Sequence, residues 1–277
     1  MAFLRSFGIG ASIARTTLAW VRNDPKSDAL RRSNFQGREV TLAGGPALAV
    51  GATAGAAFGA PTARLAAAAV TAGAVSGAVG FYDDIVGNRP EQKAAKGFAG
   101  HLGALREGRV TSGMAKIVGV GAAGLVASAL IGSGRSSRRG RGTDILLGAG
   151  VIAGTANLLN LLDLRPGRAI KAGTILGAPL AAGRNAAMTA GMLGASSALL
   201  PADLNEEIML GDSGANAFGA LLGVAFTARS GTAGRVVALA ALASLTAASE
   251  KISFTKVISG TPWLRSLDEL GRRPPRA

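Results

Sequence analysis

The sequence predicts an all-α protein, a polytopic integral membrane helical bundle of about nine transmembrane helices, and three observations predict it. Hydrophobic residues make up 48% of the 277 residues, only 17% are charged, and the mean hydropathy is +0.34, a combination that soluble domains of this size rarely show. Five stretches of 18 to 21 residues, 40–60, 65–82, 117–134, 145–162 and 185–202, contain no Asp, Glu, Lys or Arg. The 30 Lys and Arg against 16 Asp and Glu, a net charge of +14, fall mostly between the apolar stretches, as the basic residues of membrane proteins do in their cytoplasmic loops.

The first stretch, 2–21, contains Arg5 and Arg15 and has no clear small-residue cleavage site, so it reads as a retained helix rather than a signal peptide. In 40–60 and 65–82, Gly51, Gly55 and Gly59, then Gly73 and Gly77, recur at every fourth position, a pattern that lets helices approach closely in lipid. Stretch 117–134 contains Gly119-Val-Gly-Ala-Ala-Gly124, a dinucleotide fingerprint by letter that lacks the strand and turn it needs. At about 1.5 Å per residue, the 18 residues of 145–162 span about 27 Å, enough for a hydrocarbon core when flanking cations snorkel outward. The remaining spans are 172–183, 185–202, 213–228 and 236–249. Beyond them, residues 251–277 form a separate basic tail with Ile252, Phe254, Val257, Trp263, Leu264 and Leu267 among its charges, an interfacial amphipathic pattern. Residues 1–250 make one transmembrane domain.

Composition excludes several chemistries. With no cysteine there is no disulfide framework, thiolate metal site or Cys nucleophile, and the single histidine, His101, argues against a His-rich zinc site or a Ser-His-Asp triad. Aromatics are 4%, too few to interleave with a basic nucleic-acid face, so no nucleic acid partner is expected. Anionic membrane lipids are the simpler partner for the basic loops. Alternating the spans places 20 of the 30 cations on one side, which is therefore read as cytoplasmic, with the C-terminus on it. The run Arg135, Arg138, Arg139 and Arg141 falls on the other side and has no account in this scheme.

The scarce acids are informative. Asp83 and Asp84 close the third span, Asp163 closes the fifth and Asp212 opens the eighth, and parity puts all four at the cytoplasmic surface. Converging carboxylates repel unless a cation joins them, and a hard cation such as Mg²⁺ takes oxygen ligands while keeping waters and phosphate oxygens. Singly, each acid has a plainer reading: Asp212 can cap the helix that follows it, and the others can be interfacial ends.

In order, Gly80-Phe-Tyr-Asp-Asp84, Asn157-Leu-Leu-Asn160-Leu-Leu-Asp163 and Gly211-Asp-Ser-Gly214 resemble the motifs of the polyprenyl-phosphate N-acetylhexosamine-1-phosphate transferase family (MraY/WecA-type). Upstream, Asp24-Pro25, Arg31-Arg32 and Gly44-Gly45 resemble its first cytoplasmic loop, so that the similarity covers residues 22–228. The resemblance implies transfer of a sugar-1-phosphate from a UDP-sugar to polyprenyl phosphate at the cytoplasmic face, with Mg²⁺ and release of UMP, in cell-wall glycan synthesis such as that of peptidoglycan. It implies Asp212 as the leading Mg²⁺ ligand, with Asp83 and Asp84 in the catalytic set and Asp84 as the second ligand. Adjacent on one helix, that pair points about 100° apart, so one of the two serves the metal or lipid phosphate and the other orients a cation. Asn157, Asn160 and Asp163 would face the nucleotide, and Lys116 would contact phosphate or, equally, snorkel at the end of its helix.

The sequence departs from the family where Asp163 is followed by Leu164-Arg165-Pro166-Gly167, without the usual second Asp, and where the late His-rich loop is missing. Arg165 and Arg168 can grip a diphosphate in its place, or simply flank the membrane. A degenerate relative that binds polyprenyl phosphate or scaffolds envelope partners is the alternative, and a homodimer is compatible with either. A transporter would place its carboxylates at mid-membrane and show repeat symmetry, and the sequence shows neither.

Overall fold

The computed structural model describes residues 1–87, 89, 103, 106, 111–134 and 137–274; His101 and Arg135 lie outside the described residues. The chain is predominantly helical. Among the described residues, nine helices follow the nine apolar stretches: α1 (Ala2–Asn23), α2 (Gly44–Gly59), α3 (Ala63–Val86), α4 (Ser112–Ile131), α5 (Arg138–Leu162), α6 (Arg168–Gly177), α7 (Ala186–Leu204), α8 (Gly211–Thr227) and α9 (Thr232–Ser249). Two short ones, α10 (Phe254–Gly260) and α11 (Pro262–Glu269), make the tail. Among the described residues, α3, α4, α5 and α9 are long and apolar enough to cross a membrane.

Local chemistry sets the helix starts. The side chains of Thr62, Thr111 and Ser137 accept hydrogen bonds from the backbone N–H groups of Leu65, Met114 and Gly140, satisfying donors that the first turn of a helix leaves open. Inside the bundle, small residues replace bulk. A Cβ added to Gly55 would lie 2.8 Å from the Cα of Gly191, and one added to Gly51 would lie 2.6 Å from the Cβ of Ala14. The repeat at Gly51, Gly55 and Gly59 is therefore the track along which α2 meets α1 and α7, and the expectation of close packing holds. The letters of the dinucleotide fingerprint fall in the middle of helix α4, whose first turns, rather than a strand and turn, lead into them.

Around the core, α8 packs on α2, α3 and α5, α1 packs on α2 and α7, and α4 joins α3 to α5. The bundle axis is α8, whose Phe218, Leu221 and Leu222 are buried. Outermost is α9, where Arg235 is the buried residue, donating to the carbonyls of Asp144 and Thr227.

Two features differ from the sequence reading. A β-hairpin, β1 (Arg31–Ser33) with β2 (Glu39–Thr41), occupies what reads as loop and the start of the second span, pairing Arg32 with Val40. Its cause is local: Gly37, at φ +72°, takes the left-handed turn conformation, and the β-branched Val40 and Thr41 suit an extended chain. In addition, α6 has ten residues, about 15 Å of helix, and is completed by a 3-10 turn over Ala178–Ala181.

Candidate functional site: a carboxylate cluster at one end of the bundle

The last turn of α3, the first turns of α4 and α8 and the end of α5 meet at one end of the bundle. The Lys116 ammonium on α4 donates to Asp83 Oδ2 at 2.7 Å and also to Asp212 Oδ2. All three side chains are less than a quarter exposed. Asp84 does something different. Its two oxygens accept the backbone N–H groups of Asp212 and Ser213 at 2.9 and 3.0 Å, so it caps α8 from another helix and its charge faces the positive end of the α8 dipole. Gly211 has to be glycine: its φ is +58°, and a Cβ there would stand 2.7 Å from Asp84 Oδ1. From the hairpin, Arg32 donates to the Asp84 carbonyl at 3.1 Å.

Asp163 follows α5 and completes the cluster. Burial first, then the charges of Asp203, Asp212 and Asp84, push its carboxyl well above the usual range, tempered by a hydrogen bond from the Gly211 backbone. Asp203, buried at the end of α7, accepts the Gly167 N–H at 2.9 Å. Together with Asn34, Phe35, Arg165 and Met209, these two acids line a cavity of about 190 Å³. At its wall the Arg165 guanidinium stacks 3.8 Å above the Phe35 ring.

The other sequence-derived candidates are dispersed. Asn157 lies deeper in α5 and donates to Thr246 of α9 at 3.0 Å; Asn160 is partly buried nearer the cluster. Arg168 is not at the cluster. It is buried and holds Asp268 of α11 with two bonds of 2.8 and 2.9 Å, so its guanidinium fork is already filled by a carboxylate. A larger apolar groove of about 850 Å³, walled by Trp20, Val50, Val70, Phe81 and Ile85 and reaching Ser213, takes the face of α3 turned away from Asp83.

Asp203 was missed by sequence reasoning although its signal was present, because it closes the seventh span with the same parity as Asp83 and Asp163. As a metal site, the donor set is of the right kind: two carboxylate oxygens converge on one cation. Among the described residues no group of three acid or imidazole side chains forms a cage, and Mg²⁺ commonly uses one or two carboxylates with waters and phosphate oxygens. The sequence reading pairs Asp84 with Asp212; in the structure the oxygen that shares a cation with Asp212 belongs to Asp83, because both Asp84 oxygens are aimed at backbone amides. No protein-family model matches the chain, and no curated protein matches it.

Proposed function

We propose that the chain crosses the membrane about nine times and moves a sugar-1-phosphate from a UDP-sugar to polyprenyl phosphate at the cytoplasmic face. The observation that carries this reading is the convergence of Asp83, Lys116 and Asp212 from three helices, with Asp84 fixing the start of α8 and Asp163 alongside. The side assignment rests on span parity in the sequence, which puts 20 of the 30 cations in the loops on the side of Asp83 and Asp212.

The chemistry asks for charge control more than for a base. A phosphate monoester has a second pKa near ~6, so the lipid nucleophile is largely dianionic at neutral pH. One of its oxygens attacks the β-phosphorus of the UDP-sugar, the bond from that phosphorus to the bridging oxygen breaks, and UMP leaves with the electron pair. Bound between Asp83 and Asp212, Mg²⁺ would neutralise phosphate charge and align the reacting groups. Lys116 swings between its two carboxylates and a phosphate oxygen, neutralising charge that builds in the transition state. Asp163 and Asp203 offer acceptors to the N–H and O–H groups of the nucleoside, and Asp203 takes up the work of the acid that is absent after Asp163. Arg165, held against Phe35, sits at the edge of that cavity.

Membranes containing the protein form labelled lipid-linked sugar from a UDP-sugar and polyprenyl phosphate, and Asp212→Asn abolishes the product. Absence of product across a broad nucleotide-sugar panel would sink this reading. One observation favours a second: the Lys116 ammonium already bridges Asp83 and Asp212, the position a metal would take. A degenerate lipid-phosphate binder would retain polyprenyl-phosphate binding in Asp212→Asn and show no turnover.

A further inference from the structure

Four residues, 250–253, separate the end of α9 at Ser249 from the start of α10 at Phe254. That length of chain reaches at most about 14 Å. Since α9 is long and apolar enough to cross a membrane, α10 and α11 lie against the membrane face at which it ends.

The inner face of this pair is pinned to the bundle. Asp268 receives the two bonds from Arg168 and a third, at 2.5 Å, from Arg272. Lys171 donates to the carbonyls of Leu267, Asp268 and Leu270 at the end of α11, and the Arg273 amide donates to the Leu204 carbonyl. These contacts decide which side of α11 faces outward.

That outer side is apolar where water alone would favour polar residues. Trp263, Leu267 and Leu270 fall at i, i+4 and i+7, one stripe along the segment, with Trp263 67% exposed and Leu270 66%. Lys251, Lys256 and Arg265 are exposed around it. A short amphipathic segment with an aromatic at its centre and cations at its margins is matched to the boundary between lipid headgroups and acyl chains. A protein partner would need none of the flanking cations, and the direct continuation from α9 brings the stripe to the lipid without one.

We propose that α10 and α11 form a strap whose outer face rests on the anionic lipid surface, with Trp263 inserted at headgroup depth, while Asp268 ties its inner face to Arg168. This does not depend on the transferase reading. The test uses the full chain carrying Trp20→Phe, which leaves Trp263 as the sole tryptophan, in vesicles of phosphatidylcholine and phosphatidylglycerol. Lipids brominated near the headgroup should reduce its emission roughly twofold or more, whereas lipids brominated at the chain ends should not. Trp263→Ser, tested in parallel, gives the Trp20 signal alone. Tryptic cleavage after Lys256 and Arg265 should slow several-fold when phosphatidylglycerol is present, compared with phosphatidylcholine alone. Unquenched Trp263 emission overturns the proposal and leaves the stripe to a protein partner. Cleavage rates equal in the two lipids overturn the headgroup recognition.

Discussion

Asp84 and Asp212 stand one hydrogen bond apart, and their different partners give them different consequences. Asp84→Ala removes the acceptor of two amides at the start of α8, so the thermal midpoint should fall by the equivalent of about 1–2 kcal/mol, and Asp212, carried on that turn, should be displaced with it. Asp212→Asn keeps the turn, and its expected phenotype is lost turnover at nearly unchanged stability; a midpoint as low as that of Asp84→Ala would contradict the division. Asp163 offers a pH-resolved case. Its folded-state pKa lies above the unfolded value because burial and the Asp203, Asp212 and Asp84 charges oppose ionisation. A carboxyl raised in this way costs nothing while protonated in both states. The cost starts as pH rises past the unfolded value of about 4 and levels off above the folded value. Asp163→Asn should therefore match the wild type near that lower limit and exceed it at neutral pH by on the order of 1 kcal/mol, while weakening nucleotide binding. Parity along the sequence was enough to put Asp83, Asp84, Asp163 and Asp212 at one end. Which member of the adjacent pair would face Lys116 was not legible, because it depends on the rotation of α3, and that is fixed by the close approach of Gly80 to the Asp212 backbone.

Between elements, the contacts are of two kinds, backbone against backbone inside the bundle and ion pairs at its end. The first kind tolerates no added volume. Gly191→Ala would bring a Cβ into the backbone of Gly55, and separating α2 from α7 should cost roughly 1–3 kcal/mol. Gly121→Ala on α4 has open space around it and should be neutral or slightly stabilising; equal losses at both positions would refute packing as the cause. The fourth-residue glycine spacing made this legible from sequence, since only a close helix neighbour explains repeated loss of side-chain bulk. The ion pairs were not legible. Arg168 and Asp268 are a hundred residues apart, and nothing in the local pattern of either announces the other, so Arg168 reads as a phosphate ligand until the tail is seen folded over it. Burial opposes ionisation of Asp268, but the hydrogen bonds and charge of Arg168, then those of Arg272, outweigh it and hold the carboxyl below its ordinary value. A depressed carboxyl contributes stability above its unfolded pKa and loses it as pH falls through the folded one. The tail should therefore stay docked at neutral pH and detach below about pH 4, read in detergent from the Trp263 emission of the Trp20→Phe chain. Asp268→Asn should detach it already at neutral pH.

At the scale of the whole molecule, the question is whether one end of the bundle faces one aqueous compartment. The contacts already fix which ends go together: Asp84 of α3 caps α8, Thr41 of the hairpin bonds to Glu207 and Met209 after α7, and Arg168 at the start of α6 holds the tail. At the opposite end, Arg229 after α8 bonds to the carbonyls of Pro179 and Leu180, and Ser133 after α4 and Thr232 of α9 both donate to Asp144 at 2.6 Å. The ten-residue α6 and its 3-10 turn therefore carry the chain from the first end to the second, even though α6 alone is too short to be recognised as a span. Hydropathy finds such a segment weakly because its length is shared between two helix types, whereas α3, α4, α5 and α9 stand out by length and composition. The chain has no cysteine, so single substitutions report without background. Glu39→Cys in the hairpin and Ser266→Cys on α11 should react with an impermeant maleimide only from the cytoplasmic side, in inverted vesicles. Gly134→Cys and Ala182→Cys, exposed at the other end, should react only in right-side-out cells. Labelling of all four from one side would show that the bundle does not cross the bilayer along its long axis. Reversal of the two pairs would keep the fold and place the Lys116 cluster outside, where nucleotide sugars made in the cytoplasm do not reach it.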